Sequence, residues 1–197
     1  EDGLAATVAA CTDAGADVAA ARCDIADETE VRGVVTACIE RFGHLDVVAN
    51  VAGIQRWHHT HEHPTDDFRL TLDVNLTGTF LVCREALPHL LASRGSIVNT
   101  SSTTALAGIP YSVAYAASKG ALVTMTLSLA RVLGPEIRVN AVCPGFIQSR
   151  WLMEGFGKDN YEKIKEYHEN ASPLGVTATP EIVAEAILDF ILGARIT

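Results

Sequence analysis

Apolar residues recur with two alternating periods along the 197-residue chain. Helical spacing from Leu4 to Ala14 stops at Gly15, a residue suited to a helix C-terminus. The short run Asp17–Cys23 (DVAAARC) predicts a first strand. Helical spacing returns over Glu28–Phe42, with Asp27 placed to cap its start and Gly43 its end. Leu45–Asn50 (LDVVAN) has the continuous apolar character of a strand buried on both faces. One long helix is predicted over Asp66–Leu91, then a strand over Gly95–Thr100 (GSIVNT) and a Ser/Thr/Gly/Pro loop. Val113–Leu133 reads as another long helix, closed by Gly134-Pro135. Ile137–Cys143 follows as a strand broken by Pro144-Gly145. Ser149–Asn170 is polar and mixed, as in short helices. Glu181–Leu192 forms a last helix starting at Thr179 or Pro180, and Arg195-Ile196-Thr197 looks like entry into a strand.

Strands alternating with helices, and buried on both faces, predict an α/β fold: a doubly wound parallel sheet in one domain spanning residues 1–197. Such a sheet normally begins with a strand and a Gly-rich turn that holds pyrophosphate at a helix N-terminus. No such turn is present in this sequence. The expectation is that the first two strands and their turn lie upstream of Glu1, and a last strand beyond Thr197. An intact protein of about 250 residues follows from that, with an intact mass above 21.0 kDa.

Composition narrows the function classes. Apolar residues make up 48% of the chain and charged residues 20%, enough core and too little charge for disorder. The net charge of −9 argues against general attraction to nucleic acid or anionic lipid. Five scattered cysteines, Cys11, Cys23, Cys38, Cys83 and Cys143, form no C-x-x-C pair. They read as thiols in a reducing compartment, and the chain as a soluble, cytoplasmic protein. Apolar runs are expected to fall short of a membrane span.

The strongest chemical signal is Tyr115-Ala116-Ala117-Ser118-Lys119. Spacing i, i+4 sets phenol and ammonium on one helical face. A phenol with a pKa near 10 is a poor base at neutral pH, and lowering it by about three units needs roughly 4 kcal/mol. A neighbouring Lys⁺, or any second cation bound beside it, would favour phenolate. Ser101-Ser102 follows the strand SIVNT at the sheet edge where open α/β folds place ligands. Asn50-Val51-Ala52-Gly53 and Pro144-Gly145 end two other strands at that same edge. Asn75 falls inside a helix, where Asn is unfavourable without a partner.

On these residues the chain resembles the short-chain dehydrogenase/reductase family in its single-domain form. The family's Y-x-x-x-K falls on Tyr115 and Lys119, and its catalytic serine, thirteen residues earlier, on Ser102. Its N-x-x-G helix motif matches Asn75-Leu76-Thr77-Gly78, and its N-N-A-G stretch matches Asn50-Val51-Ala52-Gly53, with Val for the second Asn. An adenine-contacting Asp matches Asp24, beside Ile25. Pro144-Gly145-Phe146-Ile147-Gln148-Ser149 matches P-G-x-I-x-T, with Ser for Thr.

The resemblance implies an NAD- or NADP-dependent oxidoreductase that interconverts a secondary alcohol and a ketone. It assigns catalysis to Asn75, Ser102, Tyr115 and Lys119. Cofactor contacts would come from Asp24, Ile25, Asn50, Ala52, Gly53, Tyr115, Lys119, Pro144, Gly145, Ile147 and Ser149. In this picture Tyr115 exchanges the proton, Ser102 donates to the substrate oxygen, Lys119 holds the nicotinamide ribose, and Asn75 positions a water. A homo-oligomer, tetramer or dimer, is implied, packed through the two long helices. The alternative is a catalytically silent dinucleotide-binding or scaffold protein on the same fold.

Other features have blander readings. His58-His59-Thr60-His61-Glu62-His63 sits in one polar loop, whereas metal sites usually draw on separate elements, so a solvated or cleft-lining loop is expected and no metal. Trp57 either touches substrate or covers the core. Trp151–Asn170 reads either as a mobile lid or as helix packed on the core. Ser102 lacks the G-x-S-x-G elbow of a hydrolase, and Cys143 reads as a buried thiol.

Overall fold

The computed structural model describes residues 2–193. Its sheet has three parallel strands in the order β1 (Val47–Asn50), β2 (Ser96–Thr100), β3 (Arg138–Val142). The register aligns Val48 with Ile97 and Ile97 with Val139. Successive side chains of a strand point to opposite faces. Ile97 and Val98 are both fully buried, so the central strand is covered on both sides. By contrast β1, whose continuous apolar run anticipated burial on both faces, buries Val48 and leaves Ala49 exposed at the sheet edge.

Helices provide that cover. Helix α4 (Thr79–Ser93) brings Cys83, Ala86 and Leu90 against Val48, Ile97 and Val139. Helix α6 (Val113–Leu133) adds Leu129 and Leu133 to the same cluster. Helix α9 (Pro180–Leu192) lies against β2 and β3. Full burial of a side chain such as Leu90 or Ile97 is worth about 1.5–3 kcal/mol. Gly95 precedes β2 because a Cβ there would run into the Asp46 carbonyl oxygen.

The expected caps are present. Helix α1 spans Asp2–Asp13, and Gly15 just beyond it has φ 83°. Helix α2 (Glu28–Phe42) starts where Asp27 Oδ1 accepts from the Thr29 and Glu30 amides, and it stops at Gly43 with φ 80°. The polar segment after β3 forms α7 (Arg150–Phe156) and α8 (Lys158–Ala171).

Three expectations need correction. Asp17–Cys23 is no strand: it is irregular, largely exposed and pairs with no strand among the described residues. Its single Val among alanines has little β preference, and a strand exists only through its neighbours. The long helix is not uniform either. It runs as α3 (Thr65–Leu72), a π-helical turn (Asp73–Gly78) and then α4. Finally, α6 is long and apolar enough to cross a membrane by length and composition. It nevertheless packs on β3 and on the short helix α5 (Thr104–Ala107), with Leu122 and Thr126 buried. The strand expected at Arg195–Thr197 lies outside the described residues.

Candidate active site

All three strands point their C-terminal ends toward a cavity of about 590 Å³. Ala52 and Gly53 after β1, Ser101 and Ser102 after β2, and Pro144 and Gly145 after β3 line it, as do Tyr115 and Lys119 of α6. Parallel strands with α-helical crossovers bring these loops to one edge, the usual ligand position in open α/β sheets.

At the cavity floor the Tyr115 side chain is hydrogen-bonded to that of Ser102. Ser102 is buried, and its Oγ accepts from the Thr104 amide at 3.2 Å. Lys119 is only 4% exposed, and its Nζ donates to the Thr100 carbonyl at 2.6 Å. That Nζ lies 5.6 Å from the centre of the Tyr115 ring. The helix carrying both is anchored by Ser101 Oγ, which donates to the Lys119 carbonyl at 2.9 Å.

Burial dominates the electrostatics. It pushes the Tyr115 phenol above its ordinary range, and the Ser102 hydrogen bond offsets part of that. It pulls the Lys119 ammonium down to about 8, opposed by the nearby Cys143. Desolvation, rather than the expected pull of Lys119, sets the direction of the phenol's shift.

Asn75 explains the π-helical turn. It is 1% exposed. Its Oδ1 accepts from the Ile54 amide at 2.8 Å, and its Nδ2 donates to the Ile54 carbonyl at 2.9 Å and to Ser118 Oγ at 3.0 Å. Ser118 Oγ in turn donates to the Tyr115 carbonyl at 2.7 Å. A mid-helix Asn thus finds its partners by clipping the loop after β1 to α6. A Cβ on Gly53 would sit 3.2 Å from Asn75 Oδ1 and 3.6 Å from Lys119 Nζ, so this glycine keeps the approach to the ammonium clear.

Not every expected site residue meets the cavity. Ala52, Gly53, Ser102, Tyr115, Lys119, Pro144, Gly145, Ile147 and Ser149 line it, whereas Asp24, Ile25, Asn50 and Asn75 do not. Asn50 Nδ2 donates to Asn99 Oδ1 at 2.9 Å, and Asn99 Nδ2 donates to Thr126 Oγ1 at 2.9 Å. That side chain therefore serves the seam between sheet and α6. Asp24 Oδ1 accepts from the Ala26 amide at 2.9 Å, and Ile25 packs on Gly78. Ser149 lines the wall while its Oγ caps α7.

The outer wall comes from α7 and the loop after β1. The rings of Trp57 and Phe156 meet at 5.2 Å. Helix α8 sets buried Tyr161 against Phe146 at 5.4 Å. Both helices border the cavity, α7 through Trp151, Leu152 and Phe156 and α8 through Ile164 and His168, while Tyr161 packs α8 on Phe146. The histidines of the loop pair locally: His58 Nε2 with Asp67 Oδ2 at 2.7 Å, His59 with the Tyr111 ring and His63 with Phe68. Cys143 is exposed rather than buried, lying just past Val142, where β3 ends and its cover with it.

Sequence reasoning missed Ser118, Asn99 and Gln55. Ser118 lies inside the Y-x-x-x-K stretch, and its place on the face toward Asn75 was a usable signal. Gln55 had none, since a lone Gln in a loop has no period.

The wall between β2 and α6 can hold a polyhydroxylated ligand. Thr100 and Thr104 line it with Oγ1 atoms buried without a protein partner, and the Lys119 ammonium binds the Thr100 carbonyl. A ribose offers the hydroxyls such groups need. The residues present thus fit the nicotinamide-ribose half of a dinucleotide.

Comparison with known proteins points the same way. A family model described as enoyl-(acyl carrier protein) reductase matches residues 1–192. The 2-(R)-hydroxypropyl-CoM dehydrogenase of Xanthobacter autotrophicus is 42% identical over 141 residues, 68% of this chain and 56% of that protein. An inactive 2-(S)-hydroxypropyl-CoM dehydrogenase 2 from the same organism is 34% identical over 197 residues, covering 98% of this chain and 85% of its own length. Among solved structures, an NAD+-bound xylitol dehydrogenase superposes with a TM-score of 0.87 at 27% identity, covering 98% of this chain and 79% of its own length.

Proposed function

Because the chain belongs to the short-chain dehydrogenase/reductase family, we propose that it interconverts a secondary alcohol and a ketone with NAD or NADP. The observation that carries this reading is the pairing of half-buried Tyr115 with buried Ser102 on the cavity wall, one helical turn from Lys119. When bound, the dinucleotide supplies or accepts the hydride. Tyr115 holds its proton in the ligand-free protein and gives it to the oxygen of a ketone as negative charge develops there. Ser102 donates a hydrogen bond to the same oxygen and fixes the angle of approach. Lys119 binds ribose hydroxyls and, as the nearest cation, favours the phenolate that the reverse reaction needs. Asn75 positions the helix carrying Tyr115 through Ser118. A water held between Asn75 and Lys119 as the proton route to solvent belongs to the same proposal.

The assignment of Asp24 and Ile25 to adenine and of Asn50 to the cofactor is kept as proposed, with Asn50 acting through the sheet. Five free thiols fit a reducing, cytoplasmic setting. The inactive relative supports a second reading, in which the protein binds dinucleotide without turnover. The test is reduced-dinucleotide absorbance with the full-length protein and a panel of ketones and alcohols, beside dinucleotide binding by calorimetry. Turnover with either cofactor supports the dehydrogenase. Tight binding without turnover supports the silent reading, and neither would reject both.

A further inference from the structure

Ser112 occupies the N-cap position of α6, three residues before Tyr115. A serine there ordinarily turns its hydroxyl onto an amide of the helix's first turn. Ser112 makes no such bond. Its Oγ instead donates to the Arg56 carbonyl in the loop after β1, at 2.8 Å, and the residue is 0% exposed. The hydroxyl that would have capped the helix ties two separate segments together.

The residue before it is strained. Tyr111 has φ 61°, in the left-handed region that is costly for a residue with a Cβ. Such a conformation persists where its surroundings hold it. Here the His58 amide donates to the Tyr111 carbonyl at 2.7 Å, and the His59 ring meets the Tyr111 ring edge-on at 4.8 Å. With the Ser112–Arg56 bond these contacts make a clasp between the loop after β1 and the start of α6.

Tyr115 sits between two sets of ties. Downstream, Ser118 Oγ joins Asn75 to the Tyr115 carbonyl, and Ser101 Oγ holds the Lys119 carbonyl. Upstream, the clasp holds the helix start. Asn75 and Ser112 grip the same loop, at Ile54 and at Arg56. Misplacing a reacting group by about 1 Å costs on the order of a hundredfold in rate, so ties on both sides of Tyr115 matter to it. Ser112 is not on the cavity wall, and its effect on turnover passes through the residues it holds.

We propose that Ser112 is a positioning residue: its bond to Arg56 sets the start of α6 so that the Tyr115 phenol keeps its hydrogen bond to Ser102. This rests on the dehydrogenase reading for the reacting end. The test uses full-length wild type, Ser112→Ala and Ser112→Cys, with isopropanol and cyclohexanol as probes. Alanine removes the donor. Cysteine keeps nearly the same shape with a weak donor, and thermal melts show which variant is folded. Ser128→Ala, which removes an exposed hydroxyl bonded to the Thr124 carbonyl further along α6, is the control.

Ser112→Ala is expected to lower kcat by about ten- to a hundredfold, with calorimetric dinucleotide affinity little changed, while Ser128→Ala alters neither. The groups that face the phenol are Ser102, whose hydrogen bond holds its pKa down against burial, and the Lys119 ammonium. Loosening the Ser102 bond should move the basic limb of alcohol oxidation to higher pH by about half a unit or more. Ser112→Cys should move it the same way by less. A serine that only supported the fold would scale the profile without moving it. An unmoved limb in a folded variant therefore overturns the proposal. If wild type oxidises neither alcohol, the dehydrogenase reading fails for these probes, and ultraviolet titration of the Tyr115 phenol, isolated as the difference from Tyr115→Phe, decides in its place. An upward shift in the Ser112 variants supports the clasp, and an unchanged titration rejects it.

Discussion

Lys119 shows how burial and chemistry are tied at the scale of one residue. Its folded-state pKa of about 8 lies below the ordinary 10.5. Below pH 8 the lysine is charged in both folded and unfolded chains, and the cost of burying that charge is present in full. Between pH 8 and 10.5 the folded chain gives up the proton first, so this residue makes stability rise with pH, by about 3 kcal/mol at most. Denaturant titrations across that window should show this rise in wild type and not in Lys119→Met; equal slopes would contradict the shift. Tyr115 is shifted the other way, toward the neutral phenol. Ketone reduction should therefore persist at neutral pH and fall as the phenol ionises, while alcohol oxidation should rise over the same range. Tyr115→Phe keeps the ring and loses the proton, so turnover should drop by about 10²–10⁴-fold in steady-state kinetics, with calorimetric dinucleotide affinity little changed.

At the scale of elements, the π-helical turn Asp73–Gly78 does the positioning. Gly78 closes it against the segment before α2, where a Cβ would lie 2.8 Å from the Ile25 carbonyl oxygen. Gly78→Ala should destabilise by about 1–3 kcal/mol. Gly33, in α2 with open space around it, is the control: Gly33→Ala should be neutral or stabilising by up to about 1 kcal/mol. Thermal melts of the two variants test the contrast. Local signals in the sequence were enough for the capped helix α2, the buried strand β2 and the Tyr115–Lys119 face, because each depends on near neighbours. The π-helical turn was not legible, since Asn75 finds its partners at Ile54 and Ser118, far along the chain. The Asn50–Asn99 hydrogen bond was hidden for the same reason, since Asn99 lies on the next strand. Asp17–Cys23 failed because no period can show whether a strand has a neighbour to pair with.

The whole molecule leaves apolar surface on its long helices. Leu127 and Val132 of α6 are 59% and 77% exposed, while Leu122 and Leu129 turn to the core. Phe80 and Leu91 of α4 are also exposed. We propose that these faces pack in a homo-oligomer, a dimer or tetramer. Light scattering at micromolar concentration should give a multiple of the chain mass, and Val132→Glu should lower it; a monomer throughout would reject the assembly.

The central claim is that this cavity transfers hydride to a carbonyl carbon while Tyr115 supplies the proton. The most direct measurement follows deuterium from the transferable position of a reduced dinucleotide into the alcohol product, using full-length wild type and Tyr115→Phe side by side. Deuterium on the carbinol carbon with wild type, and its loss to background with Tyr115→Phe, is the predicted result. Undiminished transfer by Tyr115→Phe, or dinucleotide binding by wild type with no transfer to any ketone, would contradict it.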